Sequence, residues 1–100
     1  MSDDENWGLA LPAFQPDLAL LQLKRALREL RPLAERGNGF TLQGQEVIQL
    51  SLDDGQLIVR LAKKPARSPE WERHICRNAG ELRRLQDDIK RRLARWTDED

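Results

Sequence analysis

Two alternating apolar runs that meet at Asp54-Gly55 constrain the fold of this chain more than any other feature. Aspartate followed by glycine is typical of a two-residue type I′ turn between antiparallel strands. With the turn placed there, every inward apolar residue faces another: Leu52 faces Leu57, Leu50 faces Val59, and Ile48 faces Leu61. A slip of one residue would bury the polar positions instead, so the sequence predicts a β-hairpin over 47–62.

A third strand is predicted before this hairpin, at 40–43, which completes a three-stranded antiparallel meander. A loop of three residues, 44–46, would set its register: Leu42 faces Ile48, and Phe40 faces Leu50. The outer face of this meander would be mostly polar and uncharged, as on a solvated sheet face; its residues are Thr41, Gln43, Val47, Gln49, Ser51, Ile58 and Arg60.

A first amphipathic helix is predicted from Asp17 to Arg36. Apolar residues recur at the three- and four-residue spacing of one helical stripe, namely Leu20, Leu23, Leu27, Leu30 and Ala34, widened by Leu18 and Leu21. Pro32 should kink or end this helix near Glu29, because proline removes a backbone hydrogen bond. The run 37–39, Gly-Asn-Gly, would supply the C-terminal stop.

A second amphipathic helix is predicted from Pro69 to Trp96. Ser68 would cap it, and Pro69 suits the first helical position. Its apolar stripe comprises Trp71, Ile75, Ala79, Leu82, Leu85, Ile89, Leu93 and Trp96. The expected class is therefore α+β, in the order α-β-β-β-α, with both helices on one face of the meander. The expected division is an acidic and apolar arm at 1–16, one domain at 17–96, and an acidic tail at 97–100.

The length of the second helix suggests self-association. A continuous helix over 69–96 would be roughly 42 Å long, whereas the strands reach only about 24 Å. Its C-terminal half would extend beyond the sheet and leave an apolar stripe uncovered: Leu85, Ile89, Leu93 and Trp96. We expect a homodimer through this stripe; a bend at Gly80, which folds the helix back over its own core, is the alternative. The open edge of the third strand, Leu57–Ala62, offers a second route to self-association.

The arm at 1–16 carries four large apolar side chains, Trp7, Leu9, Leu11 and Phe14, behind an acidic start. Two prolines, Pro12 and Pro16, prevent a continuous helix there. These side chains either pack on the domain or form a short peptide that binds an unidentified partner protein.

The charges are unevenly distributed, although the chain has 17 basic and 17 acidic residues. Residues 63–96 contain eleven bases and five acids, whereas six acids lie near the two ends. A solvated helix face explains this pattern, and so does a polyanionic partner. The candidate nucleic-acid contacts are Lys63, Lys64, Arg67, Arg73, Arg77, Arg83, Arg84, Lys90 and Arg91.

The predicted order of helix, three strands and helix is shared by double-stranded-RNA-binding domains. The run 63–67, Lys-Lys-Pro-Ala-Arg, resembles the basic cluster that opens their second helix, which would imply RNA binding. Pro65 and Pro69 keep this run outside the helix, and the alanine-rich continuation of that family is missing. A family of small dimeric bacterial nucleoid-associated proteins has the same element order, although no motif of this chain matches it.

Catalytic, metal and cofactor signatures are missing from the sequence. His74 and Cys76 are the only soft metal ligands, and residues two apart on a helix point to different faces. Cys76 is expected to be a core thiol, and an internal disulfide is excluded. No apolar run approaches the roughly 20 residues of a membrane span. We therefore expect a non-enzymatic, cytoplasmic interaction or assembly protein that forms a homodimer through its C-terminal helix. The alternative is a nucleic-acid-binding protein that uses the basic face of that helix.

Overall fold

The computed structural model describes residues 14–98, and within them the chain is α+β, as predicted. Two helices and five strands follow one another in the order α1, β1 to β5, α2: Pro16–Arg28, Ala34–Arg36, Gly39–Leu42, Gln45–Asp53, Gln56–Ala62, Trp71–Cys76 and Ala79–Asp98. The five strands form one antiparallel sheet in sequence order, so the predicted three-stranded meander lacks β1 and β5. The arm residues Trp7, Leu9 and Leu11, and the tail residues 99–100, lie outside the described residues.

The β3–β4 hairpin has the predicted register at every position. Leu52 is opposite Leu57, Leu50 is opposite Val59, and Ile48 is opposite Leu61. The turn residues Asp54 and Gly55 have φ values of 54° and 74°, as a type I′ turn requires. This hairpin prediction is confirmed.

The predicted pairing of the β2 strand is wrong. Its turn is two residues long, Gln43-Gly44, with φ values of 54° and 83°, and not a loop at 44–46. Phe40 consequently faces Ile48, and Thr41 faces Glu46. The extra residue is Val47, which forms a β-bulge; Val47 is therefore buried in the core with Ile48 instead of lying on the outer face.

Helix α1 is shorter than predicted, because residues 34–36 belong to strand β1. The helix ends at Arg28, close to the position indicated by Pro32. The run 37–39 is not a helix stop: Gly37, with φ of 60°, opens a two-residue hairpin turn between β1 and β2. Such a turn favours glycine at its first position, since other residues rarely adopt positive φ.

Helix α2 begins at Ala79, not Pro69, and the residues predicted to form its first turns are strand β5. Asn78 caps it: its Oδ1 accepts a hydrogen bond from the Glu81 N–H at 2.8 Å. Gly80 is thus in the first turn, where it causes no bend. With 20 residues the helix is about 30 Å long, which matches the nine-residue strand β3. The prediction that the C-terminal half of this helix extends beyond the sheet is therefore wrong.

Both helices pack on the same face of the sheet and share one core with it. The buried residues of this core are Ala19, Leu23, Leu27, Leu33, Phe40, Leu42, Val47, Ile48, Leu50, Leu57, Val59, Leu61, Ala62, Cys76, Leu82, Leu85, Ile89 and Leu93. Phe14, Leu20, Leu30, Trp71 and Trp96 are partly buried against it.

Each edge strand carries one glutamate on the face that the helices cover, and each glutamate binds an arginine of one helix. One cross-strand row runs through all five strands as Glu35, Phe40, Ile48, Leu61 and Glu72. Glu35 accepts a 2.6 Å hydrogen bond from Arg28 Nε in α1. Glu72 accepts one from Arg92 in α2, and the Arg92 Nη1 also donates to the Ala62 carbonyl oxygen at 3.1 Å. The row therefore ties each helix to an opposite edge strand.

Removing the Arg92 side chain should destabilise the fold, because its side chain is only 12% exposed and joins α2 to both β4 and β5. We expect Arg92→Ala to lower the free energy of unfolding by about 2 kcal/mol in a urea titration. Arg91→Ala is the matched control: this neighbouring side chain is 71% exposed, and its loss should change stability by less than about 0.5 kcal/mol. Equal effects of the two variants would contradict the assigned role.

Candidate functional site

Strand β5 lies at an edge of the sheet, and within residues 14–98 no strand pairs with its outer side. In an antiparallel ladder, alternate residues direct their N–H and C=O groups to the same neighbour. Leu50 donates its N–H to the Asn38 carbonyl oxygen at 2.8 Å, so its backbone groups point away from β4. The groups of Val59, opposite Leu50, consequently point towards β5, where His74 is opposite Val59. It follows that 72, 74 and 76 bond to β4, whereas Trp71, Arg73 and Ile75 direct their N–H and C=O groups away from the sheet.

A groove of about 470 Å³ lies between this strand edge and helix α2. One wall is β5 and the residue after it, from Arg73 to Arg77. The other wall is one stripe of α2, with residues spaced three or four apart: Glu81, Arg84, Leu85, Asp88 and Arg91. A free strand edge and a helix thus form the two sides of one elongated site.

The carboxylates in and beside the groove already have partners within the chain. Glu81 Oε1 accepts the Arg77 backbone N–H at 2.7 Å, and Asp88 Oδ2 accepts Arg92 Nε at 3.1 Å. The hydrogen bond from Arg92 holds the pKa of Glu72 below its usual range. The arginines on the walls are mostly exposed, so the open part of the groove is basic.

His74 and Cys76 lie on the helix-bearing face of β5. The argument that they point to different faces is wrong, because in a strand residues two apart share a face. His74 Nε2 is buried and lies 3.5 Å from Glu72 Oε1, without hydrogen-bonding geometry. Burial raises the pKa of the Cys76 thiol. Within residues 14–98 no three His, Cys, Asp or Glu side chains could together hold a metal ion.

The candidate nucleic-acid residues do not form one continuous surface. Lys63, Lys64 and Arg67 are exposed on the loop that joins β4 to β5. Four others line the groove: Arg73, Arg77, Arg84 and Arg91. Lys90 lines a small hollow between α2 and α1, on another side of the helix. Arg83 is exposed on α2 outside both the groove and this hollow, so the structure divides the basic set into four groups.

The residues expected to carry self-association are mostly internal. Leu85, Ile89 and Leu93 are 7%, 1% and 7% exposed and belong to the chain's own core. Trp96 is half-buried against that core. The edge of Leu57–Ala62 is not open either, because β5 pairs with it along its whole length.

A second, apolar hollow of about 440 Å³ separates the N-terminal ends of the two helices. Phe14, Leu18 and Leu82 contribute apolar surface to it. Phe14, the described member of the predicted partner-binding arm, is thus half-buried against the domain. Leu18 and Leu21 remain 50% and 57% exposed on α1.

Strand β5 is the element of the site that the sequence interpretation missed. Trp71, Ile75 and Ala79 are spaced four apart, which is also helical spacing, and this concealed the strand. Two signals pointed to the correct boundary. Asn78 and Glu81 form the start-of-helix pattern of a cap followed by glutamate three residues later, and the loop 63–70 contains two prolines.

Comparisons with protein-family models, curated proteins and solved structures found no match to this chain. Among the described residues no helix has the length and apolar character needed to cross a membrane.

The direction of the β5 backbone groups predicts an alternating pattern of amide exchange. The N–H groups of Glu72, His74 and Cys76 bond to β4 and should exchange at least about tenfold more slowly than those of Arg73 and Ile75. Hydrogen–deuterium exchange followed by NMR of the full chain measures this. Equal protection of both sets would contradict a free edge at β5.

The lowered pKa of Glu72 predicts a loss of stability in acid. Because the folded-state pKa lies below the unfolded value of about 4.3, the contribution is complete above that value and is lost as the pH falls through the folded one. Glu72→Gln should therefore destabilise the protein at pH 7 and flatten the decline in stability below about pH 4. Urea titrations across this range measure it, with Glu70→Gln, at an 83% exposed carboxylate, as the control.

Proposed function

We propose that this protein is a non-enzymatic interaction module that binds an extended segment of a partner protein along strand β5. The observation that carries the proposal is the free edge of β5 facing a groove whose other wall is helix α2. An extended segment adds a sixth strand to such an edge, and its backbone supplies the missing hydrogen bonds. The groove gives alternate side chains of that segment a surface to contact.

The form of the two edges supports β5 as the binding edge. Strand β1 has three residues, whereas β5 has six, and no strand of residues 14–98 pairs with its outer side. A six-residue strand spans about 20 Å, enough for a bound segment of similar length. Charged side chains at 72 and 73 are typical protection against uncontrolled edge pairing, so a specific partner is favoured over aggregation.

Selection of peptides and one pair of substitutions test strand addition. Random twelve-residue peptides displayed on phage are panned against the immobilised full chain, and an enriched peptide is measured by calorimetry. Ile75→Pro removes an N–H that points away from the sheet, so the fold should survive while peptide affinity falls at least about tenfold.

The matched control is Ile75→Thr, which changes the same side chain but keeps the N–H. It should bind the peptide almost as the unsubstituted chain does. Circular dichroism confirms that both variants are folded. Strand addition is refuted if no peptide is enriched, or if folded Ile75→Pro binds as tightly as Ile75→Thr.

Homodimer formation is a second use of the same edge, supported by the fact that two β5 strands can pair antiparallel about a two-fold axis. Light scattering on a size-exclusion column measures the mass of the full chain at micromolar concentration. A dimer through β5 would be lost in Ile75→Pro and retained in Trp96→Asp. A dimer through the C-terminal part of α2 would give the reverse result.

A further inference from the structure

We infer that the segment that pairs with β5 is acidic on both of its faces; this rests on the strand addition proposed above. The first argument is the charge of the groove. Four of its side chains are arginines and two are carboxylates. Both carboxylates already pair with arginines of the chain: Glu81 Oε2 lies 3.8 Å from Arg77 Nη1, and Asp88 accepts a hydrogen bond from Arg92. The charge of the groove that is not compensated is therefore positive.

The outer face of the sheet supplies a second argument, in which Arg73 takes part again. A cross-strand row there runs through Arg36, Gly39, Gln49, Arg60 and Arg73, from one edge of the sheet to the other. Arg60 and Arg73 are thus directly opposite each other, and like charges in this arrangement are destabilising. No carboxylate of residues 14–98 lies within ion-pairing distance of either.

An added strand would extend this row by one position. Its residue opposite Arg73 would lie on the outer face, because directly opposite residues share a face. An aspartate or glutamate there would pair with Arg73 and offset its repulsion with Arg60. The register of the sheet therefore identifies one acidic position of the bound segment.

The helix-facing side of the segment meets two more arginines. Arg84 and Arg91 are seven residues apart on the groove stripe of α2, a rise of about 10.5 Å. Arg84 has no ion pair with a described carboxylate, and Arg91 lies 3.9 Å from Asp88 with 71% of its side chain exposed. In the bound segment, the residues on either side of the one opposite Arg73 point to the other face, towards Arg84 and Arg91. Acidic residues are therefore favoured at those positions also.

A peptide fits these observations better than a nucleic acid does. The edge of β5 presents N–H donors and C=O acceptors in alternation. A phosphate backbone offers only acceptors and would leave the C=O groups unpaired, whereas a polypeptide satisfies both. The basic side chains outside the groove, such as Arg83 and Arg95, play no part in this arrangement.

Fluorescence anisotropy with designed peptides tests the inference. The probe is a capped, fluorescein-labelled ten-residue peptide in which two valines and two glutamates repeat in turn, so that a strand formed by it carries glutamate on both faces. It is compared with peptides that carry glutamine or lysine in place of glutamate. We expect the glutamate peptide to bind at least about tenfold more tightly than the glutamine peptide, and the lysine peptide to bind most weakly. Affinity for the glutamate peptide should fall as the salt concentration rises.

Substitutions in the chain locate the charge effect. Arg84→Gln/Arg91→Gln and, separately, Arg73→Gln should each weaken the glutamate peptide several-fold and leave the glutamine peptide unchanged. The matched control is Arg83→Gln/Arg95→Gln, which removes two charges from exposed positions of α2 outside the groove.

The outcomes separate the two proposals. If glutamate and glutamine peptides bind equally and Ile75→Pro weakens both, strand addition stands and the acidic partner is refuted. If the glutamate peptide binds equally to Ile75→Pro and Ile75→Thr, strand addition itself is refuted. If a 20-nucleotide single-stranded DNA binds more tightly than the peptide and Arg83→Gln/Arg95→Gln weakens it, the protein is a nucleic-acid binder and the acidic peptide is overturned.

Discussion

The register of the β3–β4 hairpin is the constraint on which the rest of the structure depends. The Asp54-Gly55 turn fixes which residues are opposite one another, and the neighbouring strands inherit that alignment. It places apolar residues under the helices and a glutamate at each edge of the same row, where α1 and α2 are tied. It also determines that the backbone groups of 71, 73 and 75 point away from the sheet. The arrangement of the core under the helices and the direction of the edge groups of β5 both follow the register of this hairpin, with the Val47 bulge adjusting β2 to it.

The same alignment gives the two faces of β5 different tasks. On the helix-bearing face Glu72 forms an ion pair with Arg92, so this face attaches α2 and sets the width of the groove. On the outer face Arg73 is opposite Arg60, and its charge is not offset by any carboxylate of residues 14–98. If β5 accepts the partner proposed above, the first arrangement keeps its own helix in place while the second leaves the outer face available.

The sequence predicted the parts of the fold whose signals are local. The Asp54-Gly55 turn and the Leu52 to Leu61 alternation identify the hairpin, and Pro32 indicates the end of α1. Strand β5 was missed because Trp71 and Ile75 fit helical spacing equally well, and only pairing with β4 decides between the two. β1 has three residues, too few for a periodic signal. The groove depends on β5, so it could not be predicted once that strand was interpreted as helix.

The strictly sequential strand order has a consequence for how the chain folds. Each strand pairs with the one before it, so every step of sheet growth closes only a short loop. The entropic cost of each step is therefore small, and folding should be rapid for a protein with so much sheet. The hairpin at 45–62 can form first, with outer strands joining on both sides. Strand β5 joins across the longest loop between strands, 63–70, so we expect the edge proposed to bind a partner to be the last to pair.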